Sequence, residues 1–169
     1  YGLFTSPEDL ETRFDGTFRF DFEPTYNAAP GETLPIITDD QPEAFRGAEW
    51  GLIPSWAEDP DEHGYINARA ETLFERASFR EPAEHRRCLV PADGFYEWGS
   101  PDGARRPYFL RRPDGDPFAM AGLWERFTPP TTQTDLSAFE GSGGERDAET
   151  IETFTIITTT PNDTIEAIH

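Results

Sequence analysis

The chain has 169 residues, and its 33 acidic residues against 14 basic ones give a net charge of −19. Aromatic residues make up 14% of it, which excludes a disordered chain, since such chains are poor in aromatic rings. No apolar run approaches the ~20 residues of a membrane span, and the acidic first residues exclude a signal peptide. We therefore predict a soluble, cytoplasmic protein that is long enough to bury a core.

The basic residues are unusual in kind and in distribution. All 14 are arginine, and lysine is absent. A surface this acidic repels itself at low salt but is tolerated where salt shortens the Debye length to ~3 Å at 1 M. A salt-rich, halophilic cytoplasm explains both features, and an ordinary acidic protein is the alternative. Nine arginines fall between Arg69 and Arg112, which indicates either a basic surface or arginines paired with surface Glu and Asp.

Capping and turn residues divide the chain into short elements. Ser6 before Pro7 is typical of a helix start, and that helix should end near Phe14. After it the pattern predicts a turn-rich loop over residues 26–31, a strand over Leu34–Thr38 and a second short helix over Leu73–Phe79. Five further strands are predicted, over Cys88–Val90, Gly94–Trp98, Tyr108–Arg111, Phe118–Trp124 and Phe154–Thr159.

Two connecting segments complete the predicted organisation. Arg112–Asp116 contains Asp-Gly and predicts a hairpin between the strands on either side of it. Residues 128–150 hold Pro-Pro and Gly-Ser-Gly-Gly with almost no apolar side chain, which predicts a flexible, solvated insertion between two strands. Many short strands with few helices indicate an α+β fold, a curved, mainly antiparallel sheet or partly open barrel with a few short helices, in one domain over residues 1–169.

Cysteine and histidine usage bears on metals and disulfides. Cys88 is the single cysteine, which excludes an intrachain disulfide and a multi-cysteine zinc site. The three histidines are far apart, and none lies in a metal-ligand pattern. We expect no metal and no cofactor, and we expect the thiol of Cys88, which precedes Leu89-Val90, to be buried and largely protonated.

Three polar residues are candidates for chemistry. Glu97 lies between Tyr96 and Trp98, and a carboxylate among aromatic rings loses solvation, which suits it to proton transfer near neutral pH. Asn67 offers an amide that donates and accepts, and Arg69 a guanidinium suited to phosphate. The alternatives are an exposed strand carboxylate or arginine partner for Glu97 and a turn or cap residue for Asn67.

Two further side-chain types carry a functional hypothesis. The imidazole of His169 can shuttle protons at physiological pH, although a frayed terminal side chain is the alternative. Trp50 and Trp56 flank a Gly/Pro turn. An exposed Trp stacks a nucleobase for ~1–3 kcal/mol, so we assign Trp56 to the ligand and Trp50 to the core.

Five stretches in this order resemble the SOS response-associated peptidase (SRAP) family. The resemblance extends from Leu3 to His169. The stretches are Tyr26-Asn27-Ala28-Ala29-Pro30, Trp50-Gly51-Leu52-Ile53-Pro54-Ser55-Trp56, Ile66-Asn67-Ala68-Arg69-Ala70-Glu71-Thr72, Arg87-Cys88-Leu89-Val90-Pro91-Ala92-Asp93-Gly94-Phe95-Tyr96-Glu97-Trp98, and Thr158-Thr159-Thr160-Pro161-Asn162-Asp163 leading to Ile168-His169.

The resemblance implies action on abasic sites in single-stranded DNA through a cysteine that becomes N-terminal when the initiator Met is removed. The α-amine condenses with the sugar aldehyde to an imine, and the neighbouring thiolate closes a thiazolidine. The family pattern implies that Glu97 and His169 manage the proton transfers and that Asn67 positions the amine. It also implies DNA contacts through Trp56, Arg69, Arg76 and Thr158. We expect a monomer.

The family begins Met-Cys-Gly-Arg before an aromatic residue, whose place Tyr1 takes here. The resemblance therefore implies a cysteine three residues upstream of Tyr1 and more chain after His169, so that the domain is incomplete at both ends and inactive in cross-linking by itself. Two alternatives stay open. One is a non-covalent reader of damaged or single-stranded DNA, and the other is a peptidase active mainly on its own N-terminus.

Overall fold

In the structure, a computed structural model, residues 1–59, 64–100, 103–129, 150–166 and 168 are described. Three short helices and nine strands are assigned within these ranges. In chain order they are α1 (Pro7–Phe14), β1 (Thr17–Phe18), β2 (Thr33–Thr38), β3 (Gln41–Trp50), β4 (Asn67–Arg69), a 3-10 turn (Ala70–Thr72), α2 (Ala77–His85), β5 (Arg87–Ala92), β6 (Phe95–Gly99), β7 (Arg106–Leu110), β8 (Phe118–Phe127), β9 (Ile151–Thr158) and α3 (Asp163–Glu166).

Seven of these strands form one sheet in the order β1-β3-β2-β5-β8-β9-β4, and an additional pairing of β3 with β9 closes five of them into a barrel. Four junctions of the barrel are antiparallel, and the β3–β9 junction is parallel. The short strands β1 and β4 add in parallel to β3 and β9. β6 and β7 form a separate antiparallel hairpin. The predicted α+β class with a mainly antiparallel sheet is confirmed.

Every barrel strand contributes at least one large side chain to the main core cluster. These include Ile36, Phe45, Val90, Trp124 and Phe154, all buried. A second cluster lies where α2 packs, and it joins Ala68 of β4 to Leu123 of β8 and to Phe79 and Ala83 of the helix. Within the part of the chain that is described, no helix is long and apolar enough to cross a membrane.

The first predicted helix is confirmed and the second is displaced. Ser6 caps α1 by accepting a hydrogen bond from the backbone N–H of Asp9. The region predicted as helix over Leu73–Phe79 instead contains a turn, and α2 begins only at Ala77. Its N-cap makes no side-chain capping bond and Pro82 lies inside it, so the sequence lacked a start signal and carried a false stop signal.

The predicted hairpin around Arg112–Asp116 is wrong in its pairing. A turn does form there, with the backbone N–H of Gly115 donating to the carbonyl of Arg112 at 3.1 Å. However, β7 pairs with β6, whereas β8 pairs with β5 and β9, so the turn connects two different sheets. Turn chemistry is local, while strand pairing is decided by which apolar faces meet in the core.

The predicted insertion over residues 128–150 does connect two strands, because β8 ends at Phe127 and β9 begins at Ile151. The hydroxyl groups of Thr128 and Thr150 lie 2.8 Å apart at its base. Its predicted flexibility concerns residues 130–149, which lie outside the described ranges.

The carboxylate of Asp93 attaches the N-terminal segment to the start of β6. Asp93 is only 3% exposed. It accepts hydrogen bonds from the backbone N–H of Phe4 at 2.6 Å, the N–H of Thr5 at 2.8 Å and the hydroxyl of Thr5 at 2.5 Å. Next to it, Gly2 pairs with Gly94 in an isolated antiparallel bridge. One buried acid thus fixes the relative positions of the N-terminus and the β6–β7 hairpin.

We predict that Asp93→Ala lowers the free energy of unfolding by about 2–4 kcal/mol, because it removes a charged acceptor and leaves three part-buried donors unsatisfied. Urea denaturation at fixed salt measures the effect. Asp21→Ala is the control, since Asp21 is exposed and its loss should change stability by no more than about 0.5 kcal/mol. Equal stability of the two variants would show that the Asp93 contacts contribute nothing net.

Candidate functional site

Three of the predicted site residues lie together where β4 runs parallel to β9. The strand register sets Asn67 opposite Ile156 and Arg69 opposite Thr158. Asn67 and Arg69 are exposed, whereas Ala68 between them is buried in the second core cluster. Because side chains alternate along a strand, the amide of Asn67 and the guanidinium of Arg69 project from the same face.

Trp50 links this edge of the sheet to the N-terminus. Its indole N–H donates to the carbonyl of Ile66, the residue before Asn67, at 2.8 Å. Its ring contacts the ring of Tyr1 edge-on, with centroids 5.3 Å apart. Trp50 is partly buried and packs against the main core cluster, which agrees with its predicted core assignment on that side of the ring. Gly51 follows with φ +145°, a conformation that other residues rarely adopt, and it turns the chain away from the barrel.

Arg69 has an acidic partner two residues along the chain. Its Nε donates to a carboxylate oxygen of Glu71 at 3.3 Å, and the Arg69 side chain is still 61% exposed. Hydrogen bonds from its own backbone N–H and from the hydroxyl of Thr159 hold the pKa of Glu71 below its usual value, with Thr160 and Arg69 contributing. The carboxylate is therefore ionised at neutral pH, and the Arg69 head group is held in an ion pair.

Glu97 occupies the middle of β6, opposite Tyr108 of β7. It is half-buried, whereas Tyr96 and Trp98 on the other face of the strand are exposed. The hydroxyl of Tyr96 donates to the carbonyl of Tyr26 at 2.9 Å, which ties this strand to the loop before β2. The predicted placement of Glu97 in a strand between two aromatic residues is thus observed, with those two rings on the opposite face.

The chain after β9 returns to the end of β6. The backbone N–H of Ser100 donates to the carbonyl of Ile168 at 3.1 Å. A side chain on Gly99 would collide with Ile168, so glycine is required by this close approach. Ile168 thereby contacts Gly99, which is two residues after Glu97 in the sequence. His169 itself lies outside the described ranges.

Trp56 and Arg76 belong to a neighbouring part of the surface. Trp56 is 57% exposed, and it lines a cavity of about 260 Å³ together with the first residues of α2. Arg76 is the exposed N-cap of that helix. Leu52 of the Trp56 loop, Phe79 of α2 and Ala68 of β4 share one core cluster, which sets this surface beside the Asn67–Arg69 edge.

Cys88 is excluded as an accessible nucleophile. The residue is buried in the main core cluster, and that burial, together with the charge of Asp39, raises the pKa of the thiol far above neutral. The expectation of a buried, protonated thiol is confirmed, and a protonated thiol is a poor nucleophile. Among the residues the structure describes, no cluster of His, Cys, Asp and Glu could hold a metal ion.

Trp98 is an exposed aromatic side chain that was not among the residues predicted to bind a ligand. Trp98 is 51% exposed, and the guanidinium of Arg105 lies 5.4 Å from its ring centroid. The signal for it was the alternation of Tyr96, Glu97 and Trp98 in a strand, which predicts that the two rings share a face. Among the described residues, ion pairs in the arginine cluster include Arg69 with Glu71, Arg86 with Glu81 and Glu125, and Arg112 with Asp114. Those pairs bear out the alternative of ion-paired arginines for part of the cluster.

These features define an α+β barrel protein with an Asn, Arg and Thr site on a parallel strand pair and a separate hairpin carrying a carboxylate. A family model described as SOS response associated peptidase (SRAP) matches residues 1–169. The chain belongs to the SRAP family.

Relatives with curated names share much of this sequence. The abasic site processing protein YoqW of Bacillus subtilis is 41% identical over 153 residues, covering 88% of this chain and 61% of YoqW. The abasic site processing protein HMCES of Xenopus tropicalis is 28% identical, covering 88% of this chain and 49% of that protein. The chain thus spans between about half and two thirds of the length of these two relatives. A crystal structure of a Bacteroides thetaiotaomicron protein superposes with a TM-score of 0.82 at 28% identity, covering 99% of this chain and 70% of that one.

Proposed function

We propose that this protein acts on abasic sites in single-stranded DNA and forms a covalent thiazolidine cross-link through a cysteine three residues upstream of Tyr1. The observation that carries the proposal is membership of the SRAP family, with relatives named for abasic site processing. The grouping of Asn67, Arg69 and Thr158 on one strand pair supports it.

The proposed chemistry needs an amine and a thiol on adjacent carbons. The ring-opened abasic sugar presents an aldehyde, which the α-amine of the N-terminal cysteine attacks, and loss of water gives an imine. The thiolate of the same cysteine adds to the imine carbon, and the nitrogen takes up a proton. The products are one thiazolidine ring and one water molecule. Ring closure within one residue benefits from effective concentrations of up to ~10⁵–10⁸ M in well-oriented cases.

The backbone around Tyr1 supports a path for that cysteine toward Asn67. Tyr1 and Ala28 form a reciprocal pair, with Tyr1 N donating to the Ala28 carbonyl at 3.2 Å and Ala28 N donating to the Tyr1 carbonyl at 2.7 Å. Residues before Tyr1 that continue in this direction advance by ~3.3 Å each past Ala29, where Pro30 has no N–H with which to extend the reciprocal pairing. Since Trp50 bridges Tyr1 and the residue before Asn67, the amide of Asn67 is the proposed partner of the α-amine.

Glu97 and His169 are the proposed proton-transfer groups. Glu97 is carried by the hairpin that the Gly2–Gly94 bridge joins to the N-terminal segment. Ile168, the residue before His169, bonds to Ser100 at the end of the same strand. Glu97 and Ile168, the neighbour of His169, thereby belong to segments that are anchored around β6, which supports a shared role for Glu97 and His169 in opening the sugar ring and in forming the imine.

The proposed DNA contacts combine cations with exposed aromatic rings. Arg69, Arg76 and Thr158 supply polar contacts to the phosphate backbone, and Trp56 supplies a ring on which a base stacks. Trp98, with Arg105 above its ring, adds a second aromatic surface on the opposite face of the strand from Glu97. Because the net charge is −19, this binding depends on where the arginines lie rather than on overall attraction.

Arg69→Ala should weaken binding of a fluorescent single-stranded oligonucleotide and lower the salt slope of log Kd by about 0.7, the amount for one phosphate contact on a single strand. Fluorescence anisotropy across a salt series measures both, with the low-salt end avoided because the acidic surface repels DNA there. Arg19→Ala is the control, since Arg19 is exposed and lies outside the arginine cluster. Equal binding by the two variants would contradict the assigned phosphate contact.

Glu97→Gln, made in a protein that begins Met-Cys-Gly-Arg before Tyr1, should keep the fold and the DNA affinity but form the adduct more slowly. The amide preserves the shape and removes proton transfer, which is generally worth ~10²–10⁴-fold in rate. A time course on denaturing gels with an abasic oligonucleotide measures the rate. Cross-linking as fast as that of the unmodified protein would make Glu97 a structural carboxylate.

A polypeptide beginning at Tyr1 should form no stable adduct with abasic DNA, whereas addition of Met-Cys-Gly-Arg should create that ability. Tyr1 has an α-amine without a neighbouring thiol, and the thiol of Cys88 is buried. Denaturing electrophoresis with a uracil-glycosylase-treated oligonucleotide tests both, and Cys88→Ser in the extended protein is the control. Two results would refute the N-terminal aminothiol mechanism. One is a shifted band from the polypeptide that begins at Tyr1 when no reductant is added. The other is loss of the shifted band from the extended protein when Cys88→Ser leaves it folded.

A further inference from the structure

The carboxylate of Glu71 joins the two strand ends that carry the candidate site. Glu71 lies in the 3-10 turn that directly follows β4. One of its oxygens accepts hydrogen bonds from the hydroxyl of Thr159 at 3.0 Å and from the backbone N–H of Thr160 at 3.1 Å. The other oxygen accepts from Nε of Arg69 at 3.3 Å. The two oxygens thus bind two different segments, one after β9 and one at the end of β4.

These bonds begin where the backbone ladder stops. The last paired residues of β4 and β9 are Arg69 and Thr158, and beyond them both chains leave the sheet. Beyond the last backbone pair, the side chain of Glu71 therefore connects the segment after β4 to the segment after β9. The segment that it holds after β9 is the one that returns through α3 to Ile168 and the end of β6.

An acid at this place is unfavourable for DNA binding if only charge is considered. Glu71 lies next to a proposed phosphate-binding arginine in a protein that already carries a net charge of −19. Its negative charge weakens the attraction of Arg69 for phosphate. Its contact engages one of the five N–H donors of the guanidinium and leaves the others for a ligand. A carboxylate at this position is explained if it orients the guanidinium of Arg69. It is not explained by attraction of the DNA phosphate, because both groups are negative.

We propose that Glu71 is a positioning residue that holds Arg69 and the Thr159-Thr160 segment in the geometry that single-stranded DNA binds. This inference rests on the proposed function and adds to it a residue that touches no substrate. Holding a long side chain in place before binding saves the entropy that would otherwise be lost when the ligand immobilises it. If Glu71 acts by positioning, its loss weakens the binding of single-stranded DNA. If it acts only through its charge, its loss strengthens that binding. An affinity measurement therefore separates the two roles.

The test compares Glu71→Gln with Glu75→Gln by fluorescence anisotropy with a fluorescent single-stranded oligonucleotide across a salt series. Both substitutions remove one negative charge from the same segment, and Glu75 is exposed. Glu75→Gln should bind as well as wild type or more tightly, because only repulsion is lost. Glu71→Gln should bind about 3–10-fold more weakly, as expected when one side chain must be ordered on binding. Its single amide oxygen can accept on one side only, so its NH2 group must face a donor, either Nε of Arg69 or the N–H of Thr160.

Two further measurements separate positioning from general damage. In an Arg69→Ala background, Glu71→Gln should cause a smaller loss of affinity than it does in wild type, because one of the two groups that Glu71 positions is gone. Amide hydrogen exchange of Thr160 should be faster in Glu71→Ala, which removes its acceptor, while the unfolding midpoint stays near that of wild type. Additive losses in the double variant, or unchanged exchange at Thr160, would overturn the proposal.

The outcomes also distinguish this inference from the proposed function. If wild-type protein does not bind single-stranded DNA, the proposed function fails, and the role of Glu71 fails with it. If wild type binds and Arg69→Ala weakens binding, but Glu71→Gln behaves like Glu75→Gln, the proposed function stands and only the positioning role of Glu71 is rejected.

Discussion

The arrangement of the candidate site depends on the hydrogen bonds that the buried carboxylate of Asp93 accepts from the N-terminal segment. Its three hydrogen bonds hold Phe4 and Thr5 against the start of β6, and the Gly2–Gly94 bridge continues that attachment. The N-terminal segment in turn delivers the ring of Tyr1 to the core beside Trp50. A buried acceptor whose donors all come from one segment cannot be satisfied if that segment shifts. The N-terminus and the strand bearing Glu97 are therefore fixed relative to each other.

The parallel strand pairs decide where the remaining polar residues collect. β3 and β4 both run parallel to β9, so their carboxyl ends point along β9 in one direction. The ends of these strands carry Trp50, Arg69 and Thr158. Antiparallel neighbours would have sent alternate strand ends to opposite edges of the sheet. The parallel β3–β9 junction thus closes the barrel around its core, and the separate parallel β4–β9 pair sets Arg69 beside Thr158 at one edge.

Local signals in the sequence predicted the positions of helices and strands better than they predicted which strands pair with each other. The Ser6-Pro7 start fixed α1, and β2 and β5 were visible as apolar runs. β3 was missed because its ten residues, Gln41–Trp50, include charged side chains on the exposed part of the strand. Side-chain chemistry alone made Asn67, Glu97 and Arg69 candidates and left alternatives open, and the family resemblance then implied a role for each. Neither route indicated Glu71, because its role depends on a parallel pairing between residues far apart in sequence.

Charge imposes a different constraint on a protein this acidic that is proposed to bind DNA. Long-range repulsion from the acidic surface decays over the Debye length, which is ~3 Å at 1 M salt. A contact such as that between Arg69 and Glu71, at 3.3 Å, acts at the same short range and is also fixed by hydrogen-bond geometry. At high salt the favourable contribution of a phosphate contact therefore comes less from attraction at a distance than from a guanidinium already in place. In the proposed mode of binding, the pairing of Arg69 with Glu71 keeps the guanidinium oriented for a phosphate, so that an ion-paired arginine still contributes to DNA binding.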